Sequence, residues 1–223
     1  MPAAVARRPR DARGIPIPAI TPWDGGEPVF REASGDRQML CAVRILCSIC
    51  ALSMGDENVW HVVDAPAAKW ISYALKRGAE PAGVFTTYEV PGHHACMLYA
   101  AVACPFLASP TARRAFEGVA PANTSDSIPA GTRRGPVSAV AEFGSCQVRT
   151  LPGGGYKVDL AQPRAIHPYR SGSELLPLLR DSIADEPLRP APADELFGPD
   201  ERRIERELRR TLHAKGAVAA GGI

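Results

Sequence analysis

Hydrophobic and polar positions alternate along this chain in short blocks separated by turn formers, and the blocks switch between helical and strand periods. "MLCAVRILCSICALSM", residues 39–54, is the most apolar stretch, and at 16 residues interrupted by Arg44 it is too short to span roughly 30 Å of hydrocarbon and reads as core. "NVWHVVD", 58–64, is rich in β-branched and aromatic residues and predicts a strand. "APAAKWISYALKRGAEP" predicts a short amphipathic helix with Pro66 near its start, Trp70, Ile71, Ala74 and Leu75 along one side and Gly78 at its end. "GVFTTYEV", 83–90, predicts a second strand leading into "PGHHACMLYAAVAC", a helix that Pro105 stops by removing a donor.

Beyond it, 117–136 is poor in large apolar residues and full of turn formers, which predicts a linker. "VSAVAEFGSCQVRTLPGGGYKVDLA" predicts a β-hairpin turning at Gly153 to Gly155, and "SGSELLPLLRDSIAD" a short helix capped by Ser173. The last helix, 199–214, offers only Ile204, Leu208 and Leu212 as a thin apolar stripe, the pattern of a solvated helix or a partner surface. Residues 15–38 carry four prolines and an Asp-Gly-Gly, which predicts an extended arm with a turn, with Trp23 as its anchor.

Composition changes the picture in three ways. The 223 residues suffice for one sizeable domain, and 22 Pro with 20 Gly disfavour long helical bundles. The first 14 residues hold four Arg and one Asp, which against the +2 of the whole chain leaves the body at about −1. Only that tail could neutralise phosphates, so a duplex nucleic-acid grip is weakly supported. No continuous apolar leader follows the Arg-rich start, so the expected compartment is the cytoplasm, where six cysteines point to metal ligation or core thiols rather than disulfides.

The chemistry concentrates in two short pairs. Structural zinc takes four tetrahedral N or S ligands, usually as two pairs set at a tight turn or a helix start. Cys47-Ser-Ile-Cys50 is one pair, and His93-His94-Ala-Cys96 supplies the second. Residues i and i+3 share a helix face, so a regular first turn favours His93 over His94 as the partner of Cys96. An irregular turn would leave the choice open. Cys104 lies about 12 Å along the helix from Cys96, beyond a shared coordination sphere, and is expected as a buried core thiol. Cys41 and Cys146 have no partner at metal spacing and are also expected as core thiols. His61 and Asp64 alternate onto opposite strand faces, "LPGGGYK" lacks phosphate-loop spacing, and His167 and His213 stand alone.

The segments "CAVRILCSICALSMGDENVW" and "PGHHACMLYAAVACPFLAS", with the "PIPAITPWDG" start, resemble a family of uncharacterised small proteins from actinobacteria and their phages, in which a C-x2-C knuckle and a short sheet precede Pro-x-His-x2-Cys at a helix start. The resemblance covers residues 15 to about 110. It implies Cys47, Cys50, His93 and Cys96 as metal ligands and Cys104-Pro105 as a structural stop, and it implies no activity. The 42 residues between Cys50 and His93 are longer than that pattern.

The expected fold is therefore α+β: a treble-clef-like zinc module with a short antiparallel sheet, followed by a β-hairpin and two short helices. The expected organisation is a disordered basic tail over 1–14, a zinc-knuckle domain over 15–116, a linker over 117–136 and the hairpin with C-terminal helices over 137–223. The expected function is a non-catalytic, zinc-stabilised interaction or adaptor module with a protein partner and no membrane. A zinc-supported nucleic-acid binder or treble-clef nuclease is one alternative. An enzyme with a nucleophilic Cys, Cys96 or Cys47, paired to His93 is another.

Overall fold

A computed structural model describes residues 1–55, 58–78, 85–113, 133–151, 155–185 and 197–214. The protein is mixed α+β, built on a four-stranded antiparallel sheet whose strands lie in the order Val59–Val63, Ser138–Thr150, Tyr156–Tyr169, Phe85–Thr87. Two long central strands, β5 (Ser138–Thr150) and β6 (Tyr156–Tyr169), pair along almost their whole length, and the shorter β3 (Val59–Val63) and β4 (Phe85–Thr87) flank them. A register shift at Glu142/Phe143 bulges β6 at Arg164.

The strand period sorts side chains onto two faces. Val59 and Val63 of β3, Ala139, Ala141 and Phe143 of β5, and Val158 and Leu160 of β6 pack with Ala68 and Ile71 of α3 (Ala65–Arg77). On the other face Trp60, Val140 and Tyr169 pack with Met97, Leu98 and Ala101 of α4 (His94–Ala103), and with Leu175 and Leu179 around α6 (Leu176–Ala184). The helices thus cover both sheet faces, and the site described below sits beside β3.

Local signals explain most boundaries. Asp64 caps α3 by accepting from the Ala67 N–H, and Gly78 ends it in the left-handed conformation. Pro105 ends α4 and opens the short α5 (Pro105–Ala108). Gly25 and Gly26, both at positive φ, form the two-residue turn between β1 (Trp23–Asp24) and β2 (Glu27–Pro28). The helix near 176 is capped by Ser171 rather than Ser173: a capping box with Glu174 opens a 3-10 turn, Gly172–Leu175, that runs into α6. Trp70 lies on the outside of α3, because Ala68, Ile71 and Ala74 define the buried stripe. Trp23 is half-buried, and its backbone N–H donates to Glu201.

Two parts of the expected organisation differ. Residues 1–14 are not a disordered tail, because Ala4 and Val5 of α1 (Ala3–Ala6) enter the core and the buried Arg8 donates to the carbonyls of Ile17 and Phe197. The hairpin is not appended to the first half either. Its strand β5 pairs with β3, and its strand β6 with β4, so residues from 15–116 and 137–223 share one sheet. Residues 153 and 154 of the expected turn and most of the linker at 117–136 lie outside the described residues.

The C-terminal helix α7 (Glu201–Ala214) packs on α2 (Gly35–Arg44) through Ile204 and Leu208. Arg37, fully buried, fixes it: its guanidinium donates to the Glu201 carboxylate and to the carbonyls of Ala19, Phe197 and Gly198. Arg44 adds an ion pair to Glu207 and a hydrogen bond to Thr211. Among the described residues no helix is long and apolar enough to cross a membrane.

Candidate metal centre

The C-x2-C pair lies in a tight loop closed by backbone bonds: Cys47 N–H donates to Leu52 O, Ala51 N–H to Cys47 O, and Leu46 faces Ser53 in an antiparallel bridge. Ala51 sits at φ 64 and Ile45, just before the loop, at φ 55, the left-handed region that glycine occupies most cheaply. Two neighbouring segments hold the loop. Ala19 and Ile20 of the proline-rich arm donate to the carbonyls of Ile49 and Ser48, and Ser48 N–H donates to Pro91 O.

The second pair is set by the start of α4. Gly92 exchanges both backbone hydrogen bonds with Trp60, so the edge of β3 fixes the chain just before the helix. His93 is then the N-cap residue, and Cys96 follows in the first turn. A Cβ at Gly92 would lie 2.7 Å from the Cys47 Sγ and 2.5 Å from the Met97 methyl, so this approach requires glycine.

Cys47, Cys50, His93 and Cys96 converge, each offering one ligand atom, and those atoms all lie within 4.8 Å of one another. All four are buried, the three cysteines fully. The His93 Nδ1 lies 3.4 Å from the Cys50 Sγ and 4.0 Å from the Cys96 Sγ. Its Nε2 lies 3.1 Å from Ser53 O, which assigns the Nε2 proton to that bond and turns the Nδ1 lone pair toward the thiols. A backbone acceptor behind the ring is the usual orienting contact of a metal-ligating histidine.

The electrostatics point the same way. Burial opposes ionisation of Cys47, but hydrogen bonds from the Cys50 and Cys96 thiols outweigh it and hold its pKa well below the ordinary thiol value. Cys50 and Cys96 are pushed up, chiefly by those same bonds to Cys47. Without a cation the cluster therefore holds one thiolate and two thiols, and ionising all three in so small a buried volume requires a positive countercharge. A divalent cation supplies it, so the four residues could hold a metal ion.

The remaining candidates fall elsewhere. His94 points away from the thiols and stacks on Trp60, with centroids 3.8 Å apart. His167, expected to stand alone, lies parallel to both rings, 5.4 Å from Trp60 and 5.6 Å from His94. Cys41 is a fully buried core thiol whose pKa burial drives up. Cys104 is half-exposed at the α4/α5 junction rather than buried, and Cys146 is half-buried on β5. His61 is buried beside Phe85 with its Nδ1 unbonded, while Asp64 caps α3, so the two form no acid–base pair. His213 is exposed.

Ser53 and Gly92 are the contributors that sequence reasoning missed. Ser53 acts through a backbone carbonyl, which carries no side-chain signal, whereas the Pro-Gly immediately before the histidines marked a backbone constraint at Gly92. Comparisons of this chain with protein-family models, curated proteins and solved structures find no match.

Proposed function

We propose that the protein is a non-catalytic, zinc-stabilised interaction module in which Cys47, Cys50, His93 and Cys96 form a closed, treble-clef-like centre. The observation that carries this reading is the convergence of four buried ligand atoms within 4.8 Å. In a tetrahedral zinc site the Zn–S bond of about 2.3 Å separates sulfurs by about 3.8 Å, so the four atoms match one ion with slight contraction. Three thiolates and an imidazole are also a donor set that suits zinc. Zinc, when bound, supplies a fixed countercharge that ties the knuckle loop to the start of α4.

Closure argues against turnover. Four protein ligands leave no coordination position for an activated water. A nucleophilic cysteine must reach its substrate, whereas Cys47, Cys50 and Cys96 are fully buried and the His93 ring is held between them and Ser53 O. Nucleic-acid binding draws little support from the arginines once expected in a basic tail. Arg8 is buried against backbone carbonyls, Arg10 donates to Gly14 O, and Arg13 pairs with Asp11.

Thiol footprinting tests the reading. In metal-replete protein Cys47, Cys50 and Cys96 resist alkylation together and become reactive together after chelation, with loss of the folded far-UV spectrum. Rapid alkylation of one of them in metal-replete protein would establish a nucleophile instead.

A further inference from the structure

Helix α3 turns an unusual face outward. Ala68, Ile71 and Ala74 are buried against the sheet, which leaves Lys69, Trp70, Tyr73, Lys76 and Arg77 on the solvent side. Trp70 is 38% and Tyr73 55% exposed, although the other two tryptophans are buried or half-buried. Residues three apart are neighbours on a helix surface, so the two rings form one apolar spot about one turn long. The Arg77 guanidinium lies over the Tyr73 ring, 4.6 Å from its centroid, which orients both groups. The helix carries three cations and no carboxylate of its own, and the Asp64 carboxylate at its N-cap is engaged by the Ala67 N–H.

We propose that this face of α3 is a docking surface for an acidic protein segment: apolar side chains of the partner pack on Trp70 and Tyr73, and its Asp and Glu side chains pair with Lys69, Lys76 and Arg77. The proposal rests on the interaction-module reading and gives that module its partner chemistry. Trp, Tyr and Arg are the residue types that dominate binding energy at protein interfaces, and an aromatic pair framed by one sign of charge selects the opposite sign. A helix presents a convex surface with only three cations, whereas single-stranded nucleic acid is held in basic grooves lined by several aromatics. Membrane insertion is disfavoured because the apolar stripe of α3 faces the sheet.

The test uses full-length, zinc-loaded protein and four probes: a fluorescein-labelled peptide with Asp and Glu framing Leu and Phe, its Asn/Gln isostere, an oligo-dT strand, and vesicles of phosphatidylcholine with phosphatidylserine. The acidic peptide is expected to bind, to weaken as salt rises, and to shift the emission of Trp70. Trp70→Ala/Tyr73→Ala and Lys69→Glu/Lys76→Glu should each weaken it at least about tenfold, with zinc content and Tm unchanged. The isostere should bind at least about tenfold more weakly. Failure of the acidic peptide to bind, binding that survives both double variants, or preferential binding of oligo-dT or vesicles through α3 overturns the proposal. A chain that holds zinc and unfolds on chelation yet ignores the peptide loses only this inference. A chain that holds no zinc loses the reading of the metal centre, whatever the peptide does.

Discussion

The residues that decide this molecule are those whose backbone or burial admits few alternatives. Gly92 is one: a methyl group there meets the Cys47 sulfur at 2.7 Å, so Gly92→Ala should lower stability by about 1–3 kcal/mol and weaken metal retention, read together by thermal melting and metal content. Ile45 and Ala51 show the opposite case, since both hold left-handed backbone at a cost that glycine avoids. Ile45→Gly and Ala51→Gly should each raise stability by up to about 1 kcal/mol, after the extra freedom glycine gives the unfolded chain is set against the relieved strain. His61 is a third. Its burial lowers its pKa below 6.5, so the unfolded chain takes up a proton that the folded chain refuses. The stability that follows is present above pH 6.5 and is lost as pH falls from 6.5 through the lower folded value. His61→Leu should flatten the acid limb in urea titrations run across this range, and at neutral pH it should cost little because the Nδ1 has no partner to lose.

At the scale of elements, the parts that follow local rules were legible in the sequence, and those that depend on distant partners were not. The strand at 59–63 and the helices at 65–77, 94–103 and 201–214 follow from period, caps and breakers. The spacing of His93 and Cys96 favours His93 without excluding His94, and it is His93, as the extended N-cap residue, that turns toward the thiols. The order of the sheet was hidden, because β5 enters beside β3 from about 80 residues along the chain and no local signal specifies that pairing. The role of residues 1–14 was hidden for the same reason: Arg8 reads as a solvated charge until Ile17 and Phe197 supply its acceptors. Arg37 is the clearest case, a charged residue in a helix whose partners lie in the arm and at the start of α7. Arg37→Ala should cost about 1–3 kcal/mol and release α7, seen as loss of amide protection over 201–214, because Glu201 loses its charge partner and the carbonyls of Ala19 and Gly198 lose the guanidinium, while Phe197 O keeps Arg8 as its donor. Arg37→Lys should not restore the contacts, since one ammonium cannot span that fork.

For the molecule as a whole, the centre ties the knuckle loop, which pairs with none of the four sheet strands, to the start of α4, which the edge of β3 fixes. The knuckle loop carries two ligands, rests on the arm at Ala19 and Ile20, and meets the α4 side through the Ser48–Pro91 bond, the packing of Ile49 and the ligand cluster. Metal loss should therefore loosen residues 15–54 and the start of α4 before the β5/β6 hairpin, whose pairing is independent of the site. The measurement that tests the central claim most directly is the metal content of purified protein by native mass spectrometry, for the wild type and for Cys50→Ser and His93→Ala. One zinc per wild-type chain, lost from both variants along with their thermal transition, is the predicted result. A wild-type chain that is folded without metal, or variants that keep a full complement of zinc, would contradict it.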